Sequence, residues 1–358
     1  MLTLGVDAHK RVHEAVALDE AGRERGRRRV PNTAAGWHEL LAWAAELDGP
    51  EAPRRWGVEG AWGSGRGLAQ HLVEAGEAVF EVSPRWTAEA RKSARRPGKS
   101  DALDALAVAR LVLQDAATLP AVGAEDETAV LDLLTTERDA AVAEGTRLRN
   151  QLHALLLQLD PEYRAHLPAL DTKAGLAALE GYTAASPRRL DQERAAAVRR
   201  LAQRLRLAVD QAAALAKQIG AQVQTSCVAL TRLCGVNLLT AGALAGILGP
   251  GRRFRTEAQL AAYAGVAPLE ASSAGRVRHR LNRGGHRRLN ALLYRIALTQ
   301  SRSSPAAQAY LARRTAAGKS PREALRALKR HLVRAVWRLW QECLATREAS
   351  VAPAQAAA

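Results

Sequence analysis

Short apolar runs separated by polar turns predict a mixed α/β arrangement for the first third of the chain. Strands are predicted at residues 2–7, 13–18, 25–30, 55–59 and 78–82. Only tight turns such as Glu20-Ala21-Gly22 separate the first three, which favours an antiparallel meander. Helices are predicted from the Pro31-Asn32-Thr33 segment through Leu47, over 66–75, and from a Ser100 cap to about Gln114.

The middle of the chain carries two long apolar stripes at helical spacing, from Leu131 to Leu159 and from Val198 to Ile219. Prolines at 161, 168 and 187 mark the segment between them. An antiparallel coiled-coil hairpin or dimerisation arm would produce this pattern. An ordinary helical bundle fits equally well, because Arg138 and Gly145 are poor residues for a coiled-coil seam.

The elements divide the chain into four predicted parts. The order β-β-β-α-β-α-β-α in the first part is that of a ribonuclease-H-like fold. The part from about 225 is predicted to be mostly helical with glycine-rich turns, and the Ala/Pro-rich end to be disordered. The predicted boundaries are 1–122 for the α/β domain, 123–224 for the helical middle, 225–346 for the C-terminal domain and 347–358 for the tail.

The charge balance adds the first indication of a partner. Lys and Arg number 52 against 36 acidic residues, which gives a formal charge of +16. Such an excess favours a polyanion, nucleic acid above all, although a GC-rich genome would also enrich arginine. No run of eighteen apolar residues and no leader pattern occurs, and the three cysteines form no disulfide framework. A soluble cytoplasmic protein, associated with the nucleoid and not with a membrane, is therefore expected.

Four carboxylates are the strongest candidates for chemistry. Asp7 ends the first predicted strand and Glu59 the fourth, and these strands are neighbours in a ribonuclease-H-like sheet. Asp101 and Asp104 lie one turn apart at the start of a helix, so they face the same way. Four such acids would repel one another without a cation, and hard oxygen ligands suit Mg²⁺ or Mn²⁺. Each acid alone is also a common turn or helix-start residue, so the prediction depends on the ordered set.

Basic residues near these acids are candidates for phosphate contact. Lys10 follows the first strand together with His9, although both also fit an ordinary solvated turn. A basic loop before Asp101 contains Arg95, Arg96 and Lys99. Further along, the Gly235-Val236-Asn237 turn between two apolar segments is typical of a helix-hairpin-helix, in which Asn237 would lie at a phosphate. Any tight helical turn would give the same pattern.

A serine- and arginine-rich segment gives a second candidate centre at 271–290. Its serines are Ser272 and Ser273, and the arginines predicted to bind nucleic acid are Arg276, Arg278, Arg280, Arg283, Arg287 and Arg288. A serine hydroxyl among guanidinium groups could attack a phosphodiester and form a phosphoserine link. From the chemistry alone, a phosphate-binding basic loop with incidental serines is the better interpretation.

Taken together, these motifs resemble the DEDD transposases of the bacterial insertion-sequence family IS110, which are related to Piv-type invertases and bridge-RNA-guided recombinases. The resemblance extends to about residue 345. It is carried by GVDAHK at 5–10, VEG at 58–60, KSDALDA at 99–105, FRTEAQLAAYAGVAPLEASS at 254–273 and RHRLNRGGHRRLN at 278–290.

The resemblance implies a RuvC-like N-terminal domain whose four acids match Asp7, Glu59, Asp101 and Asp104. It also implies a C-terminal transposase domain with a nucleophilic serine, which alignment places at Ser273, or at Ser272 after a one-residue slip. Ala274 stands where members of the family have glycine after the serine, and Gly285-His286 where they have Gly-Asn. The implied reaction is strand cleavage and exchange through a covalent protein–DNA link, guided by a structured non-coding RNA in a homodimer or homotetramer.

Two other functions fit parts of the same pattern. A RuvC-type metal-dependent nuclease or junction resolvase would use the four acids without serine chemistry. A basic architectural or RNA-binding protein would use neither, and the intact set of acids argues against it.

Overall fold

The computed structural model describes residues 1–92, 100–251, 253–270, 279–280, 282 and 284–355. The chain forms two compact units. One comprises residues 1–129, 233–235 and the chain from Leu248 onward, and the other comprises residues 130–232 and 236–247. The sheet at the start of the chain and the helices at its end therefore belong to the same unit. The domain boundaries drawn from the sequence remain predictions.

A five-stranded mixed sheet forms the N-terminal part of the first unit. Its strand order is β3-β2-β1-β4-β5, with β1, β2 and β3 antiparallel and β1, β4 and β5 parallel. The prediction that the first and fourth strands are neighbours is thus confirmed. The strands are β1 (Leu2–Ala8), β2 (Val12–Leu18), β3 (Glu24–Pro31), β4 (Arg54–Glu59) and β5 (Ala78–Val82).

Helices cover both faces of this sheet because its strands are apolar on both sides. On one face, α1 (Ala34–Asp48) and α2 (Arg66–Glu74) contribute Leu40 and Leu68 to a core that also contains Leu4 and Val6. The helix Asp101–Asp115 covers the other face. It is numbered α4 because a shorter helix precedes it in the chain. It buries Ala105, Ala109, Val108 and Val112 against the sheet.

That shorter helix, α3 (Pro84–Lys92), corrects the sequence prediction, which places no helix between the fifth strand and Ser100. Proline suits the first position of a helix because its φ angle is already helical and its missing N–H needs no partner there. The Ser83 carbonyl accepts the N–H of Thr87, which closes the first turn. The basic loop predicted at 91–99 therefore begins inside a helix, and its residues 93–99 lie outside the described part of the chain.

Two long helices dominate the second unit, α5 (Glu127–Leu159) and α8 (Arg189–Ser226), with α6 (Tyr163–His166) and α7 (Lys173–Glu180) between them. Arg204 donates to Glu144 at 3.1 Å and Gln211 donates to Glu137 at 2.8 Å, so α5 and α8 are antiparallel. Both predicted stripes contribute to a buried core, made of Leu148, Leu152, Leu156, Tyr163, Leu170, Leu176, Leu179, Val198, Ala202 and Leu205. Whether the pair is a coiled coil remains a prediction.

The predicted helix-hairpin-helix has a different first half. A 3₁₀ segment (Val228–Arg232), and not an α-helix, precedes the turn, and α9 (Leu238–Leu248) follows it. Gly235 has a positive φ of 86°, which favours glycine at this position of the turn. The side-chain oxygen of Asn237 accepts the N–H of Thr240 at 2.9 Å, so Asn237 caps α9.

Helices also make up most of the C-terminal part of the first unit. They are α10 (Glu257–Tyr263), α11 (Arg287–Ser303), α12 (Pro305–Ala316) and α13 (Pro321–Gln355), and two short strands, β6 (Leu269–Glu270) and β7 (His279–Arg280), pair antiparallel. The helix α13 extends through residues 347–355, which the sequence predicted to be a disordered tail, because alanine favours helix strongly. In the described residues, no helix combines the length and the apolar character needed to cross a membrane.

Candidate functional site

Strand register brings the first two predicted acids to the same level of the sheet. Val6 of β1 is paired with Val58 of β4, so Asp7 and Glu59 each follow a paired residue on adjacent parallel strands. Residues at the same level of neighbouring strands project from the same face. Asp7 is buried, with 6% of its surface exposed, and Glu59 is half-buried.

Close packing of α4 brings the other two acids to this edge. A Cβ at Gly5 would lie 2.1 Å from the Ala109 nitrogen and 2.3 Å from the Ala105 carbonyl oxygen. A Cβ at Gly57, the partner of Gly5 on β4, would lie 2.5 Å from a Val112 methyl group. The two glycines therefore let the backbone of α4 rest directly on β1 and β4. We call this pair of contacts the glycine track.

The first turn of α4 lies beyond the glycine track, at the end of β1 that carries Asp7. Ser100 caps the helix, since its hydroxyl accepts the N–H of Leu103 at 3.3 Å. Asp101 is exposed and Asp104 is buried, and both lie in this first turn. Negative side chains are favoured there by the helix dipole. We refer to Asp7, Glu59, Asp101 and Asp104 as the acid cluster.

One histidine joins the acid cluster. His9 follows β1, and its Nε2 lies 3.1 Å from Asp7 Oδ2 and 3.6 Å from Asp101 Oδ1. Asp7, His9 and Asp101 each present a ligand atom, and these atoms lie within 4.8 Å of one another. The sequence pattern alone predicts for His9 either a phosphate contact or an ordinary turn residue. The sequence spacing of His9 and Asp7 does not by itself indicate a shared site, because the position of Asp101 depends on how α4 packs.

The electrostatics of Asp7 show the effect of crowding acids together. Burial raises the pKa of Asp7 above its ordinary value, His9 opposes this shift, and the negative charges of Asp104 and Asp101 add to it. The ionised form of Asp7 is thus disfavoured in the protein alone. A divalent cation would offset both the burial and the repulsion, and carboxylate oxygens are the ligands that Mg²⁺ and Mn²⁺ prefer. The residues present therefore fit a divalent metal.

The other candidates lie in several places. Lys10 is exposed beside His9, Arg287 and Arg288 lie in the first turn of α11, and Asn237 caps α9. Arg280 contributes to the lining of a cavity of about 540 Å³, together with residues of α3 that include Arg85 and Trp86. Those that lie outside the described residues are Arg95, Arg96, Lys99, Ser272, Ser273, Arg276, Arg278 and Arg283.

A buried ion pair that the sequence did not reveal lies at the far edge of the same sheet. Arg253, 5% exposed, forms an ion pair with Glu81 of β5 and donates to the Tyr263 hydroxyl at 2.9 Å. Its guanidinium also lies 5.1 Å from the ring centre of Trp62, 5.2 Å from that of Phe254 and 4.9 Å from that of Tyr263. We call Arg253 and Glu81 the buried pair. It fastens the C-terminal part of this unit to the sheet.

Two family profiles match the chain. Residues 4–161, which include the whole acid cluster, match a profile of DEDD transposases of the IS110 type. Residues 227–312, which include Ser272 and Ser273, match a profile described as transposase IS116/IS110/IS902 family.

Individual relatives agree with the profiles. An insertion element IS110 protein of 43.6 kDa from Streptomyces coelicolor is 31% identical over 66% of this chain and 69% of its own length. An insertion element IS900 protein of 42 kDa from Mycobacterium paratuberculosis is 27% identical over 94% and 95% of the two chains. Among solved structures, T. thermophilus RuvC in complex with a Holliday junction substrate overlaps 34% of this chain and 99% of its own, at 16% identity. Its TM-score of 0.27 is too low to establish a shared fold.

Proposed function

The chain belongs to the IS116/IS110/IS902 family of transposases, and we propose that it cleaves and rejoins DNA through a composite site. One half is the acid cluster holding Mg²⁺ or Mn²⁺, and the other half is a serine nucleophile, Ser273 or its neighbour Ser272. The observation that carries the first half is the meeting of β1, β4 and α4 at one sheet edge.

Each acid has a distinct position in the proposed metal site. Asp7 is the buried acid on the central strand, with Glu59 beside it on β4 and Asp101 and Asp104 above them on α4. A bound divalent cation would polarise the scissile phosphate and stabilise charge on the leaving oxygen. The chain's own task is to hold the four carboxylates and to admit a phosphodiester at the exposed side, where Asp101 and Lys10 lie.

The proposed serine step conserves atoms and charge. The Ser273 Oγ attacks the phosphorus, so that an Oγ–P bond forms while one P–O bond to a sugar breaks. The serine gives up its proton and the departing sugar oxygen takes one up. In the second step a sugar hydroxyl of another strand end attacks the phosphoserine, which restores the serine and completes strand exchange. Support for this half comes from family membership and from the sequence around Ser273.

Family membership and charge also support the proposed partners. The net charge of +16 suits donor and target DNA, with Arg280, Arg287 and Arg288 among the described residues proposed to contact phosphate. We include a structured non-coding guide RNA, whose base pairing would supply sequence specificity. The long α5–α8 pair is proposed to serve assembly as a coiled-coil arm in a homodimer or homotetramer located at the nucleoid.

Trapping of the covalent intermediate tests the serine half. Wild type, Ser272→Ala and Ser273→Ala are incubated with Mn²⁺, a labelled DNA carrying the element's ends and RNA transcribed from its flanks. Protein–DNA adducts are then resolved on denaturing gels. We expect an adduct in wild type and Ser272→Ala and none in Ser273→Ala. If Ser272→Ala alone loses the adduct, the nucleophile is Ser272.

The same experiment separates a simple nuclease from a recombinase. If both serine variants cleave DNA and wild type forms no adduct, the protein acts as a metal-dependent nuclease or junction resolvase. Cleavage that persists after Asp7→Asn would contradict the metal half of the proposal.

A further inference from the structure

We propose that His9 Nε2 is a ligand of the divalent cation, together with one carboxylate oxygen each from Asp7 and Asp101. This inference rests on the proposed metal-dependent function and adds to it a nitrogen donor, which the pattern of four acids does not contain. It assigns the site a cation of the Mn²⁺ type in preference to a purely oxygen-seeking one.

The spacing of the three donor atoms matches neighbouring positions around one ion. In an octahedral site with metal–ligand bonds of about 2.1 Å, adjacent ligand atoms are roughly 3 Å apart. His9 Nε2 lies 3.1 Å from Asp7 Oδ2 and 3.6 Å from Asp101 Oδ1. The imidazole thus stands between acids of two separate elements, β1 and α4, at a distance that a small inward movement of Asp101 would complete.

The backbone around His9 is held in place by two partners, Val12 and Asn32. The His9 N–H donates to the Val12 carbonyl at 3.2 Å, which closes the turn between β1 and β2. Asn32 donates to the carbonyls of His9 and Lys10, at 3.3 Å in each case. Asn32 is itself held by Trp37, whose indole N–H donates to the Asn32 side-chain oxygen at 3.0 Å. Ligands that are positioned in this way lose little freedom on binding an ion.

A second histidine, His166, lies against one carboxylate and serves as a comparison for His9. His166 Nε2 lies 2.8 Å from Asp160 Oδ2, on the surface of the helical unit. The side chains of His9 and His166 are similarly exposed, at 53% and 57%. Asp160, however, lies six residues before His166 on the same stretch of chain, whereas His9 faces acids from two elements. His166 is therefore a matched control for His9.

An imidazole ligand has a consequence for metal choice. Oxygen ligands suit both Mg²⁺ and Mn²⁺, but Mn²⁺, as a transition metal, accepts an imidazole nitrogen more readily than Mg²⁺ does. Removal of His9 should therefore weaken Mn²⁺ binding more than Mg²⁺ binding. We expect His9→Gln to lower the affinity for Mn²⁺ roughly tenfold, with a smaller change for Mg²⁺. Equal weakening of both ions would contradict the assignment.

Pulsed electron paramagnetic resonance of bound Mn²⁺ tests the ligand directly. The full chain is loaded with one equivalent of Mn²⁺, and electron spin-echo modulation reports nitrogen-14 coupled to the ion. Wild type and His166→Gln should show imidazole coupling, and His9→Gln should lose it while still binding Mn²⁺. Since His9 is exposed in a turn, this variant should fold normally.

The outcomes distinguish failure of this inference from failure of the proposed function. Mn²⁺ bound through the acids without nitrogen coupling in wild type would overturn the role of His9 and leave the metal site intact. Persistence of the coupling in His9→Gln would also overturn it. Wild type that binds Mn²⁺ no better than Asp7→Asn would instead remove the metal site itself.

Discussion

The acid cluster and the buried pair each include residues of the same sheet, and they differ in the groups that surround their charges. At the buried pair, Arg253 meets a carboxylate, a hydroxyl and three aromatic rings, all supplied by the chain. At the acid cluster, negative groups are gathered with one exposed histidine beside them. The chain supplies the partners of the first charge, whereas burial and neighbouring negative charges disfavour the ionised form of Asp7 in the second.

This difference separates residues that hold the fold from residues that we propose to bind a ligand. A compensated buried pair is costly to break because the remaining partner stays buried and charged. A carboxylate whose ionised form is disfavoured by burial and like charge, as at Asp7, costs stability in the protein alone, and such a cost is typical of functional sites. The two regions should therefore respond oppositely to the loss of one carboxylate.

The largest expected effect is on activity at the acid cluster. Asp7→Asn should reduce DNA strand cleavage by at least about a thousandfold, because the central ligand of the metal is lost. Cleavage of labelled element ends in Mn²⁺ measures this change. Asp115→Asn, at the exposed far end of α4, is the matched control and should retain activity. A comparable loss of DNA cleavage in Asp7→Asn and Asp115→Asn would show that the effect is not specific to the acid cluster.

A smaller effect, on stability, is expected at the buried pair. Glu81→Gln should lower the free energy of unfolding of the first unit by about 3 kcal/mol, because Arg253 keeps its charge in a buried position. Denaturant unfolding measures this loss. Glu39→Gln, which removes the partner of Arg28 in an exposed pair, should change stability little. A Glu81→Gln protein as stable as wild type would mean that the buried pair does not fasten this unit.

The smallest effect is a stability gain from the same Asp7→Asn substitution. The raised pKa of Asp7 means that the folded protein favours the protonated carboxyl. The contribution of Asp7 to folding stability is therefore fully present below its unfolded pKa and is lost as the pH rises through its folded pKa. Without metal, Asp7→Asn should therefore melt higher than wild type by a few degrees at pH 7 and by less at pH 4. Calorimetry with chelator checks this trend. Saturating Mn²⁺ should reverse the order of the two melting temperatures.

The sheet and the positions of the acids could be predicted from the sequence because both depend on local patterns. Short apolar runs and turn residues define the strands, and Asp7, Glu59, Asp101 and Asp104 each lie at the end or start of an element. The predicted fold makes β1 and β4 neighbours, and the observed register places Asp7 and Glu59 at the same level. The family prediction is also confirmed by profiles and relatives.

The remainder depends on contacts between distant parts of the chain. Arg253 and Glu81 are 172 residues apart, and no local pattern links them. The proposed role of His9 depends on α4, which brings Asp101 Oδ1 to within 3.6 Å of His9 Nε2. The helix α3 was missed because its basic, polar residues resemble a loop more than a buried helix.

The glycine track has a consequence for the newly made chain. Asp7 of β1 and Glu59 of β4 are synthesised before α4, and the acid cluster is complete only when that helix packs onto Gly5 and Gly57. A ribosome-bound fragment that ends before Asp101 thus contains two of the four acids and no assembled centre. Contacts between residues so far apart in sequence form late, because the chain between them must first be ordered. The acid cluster is consequently incomplete until the first unit has folded.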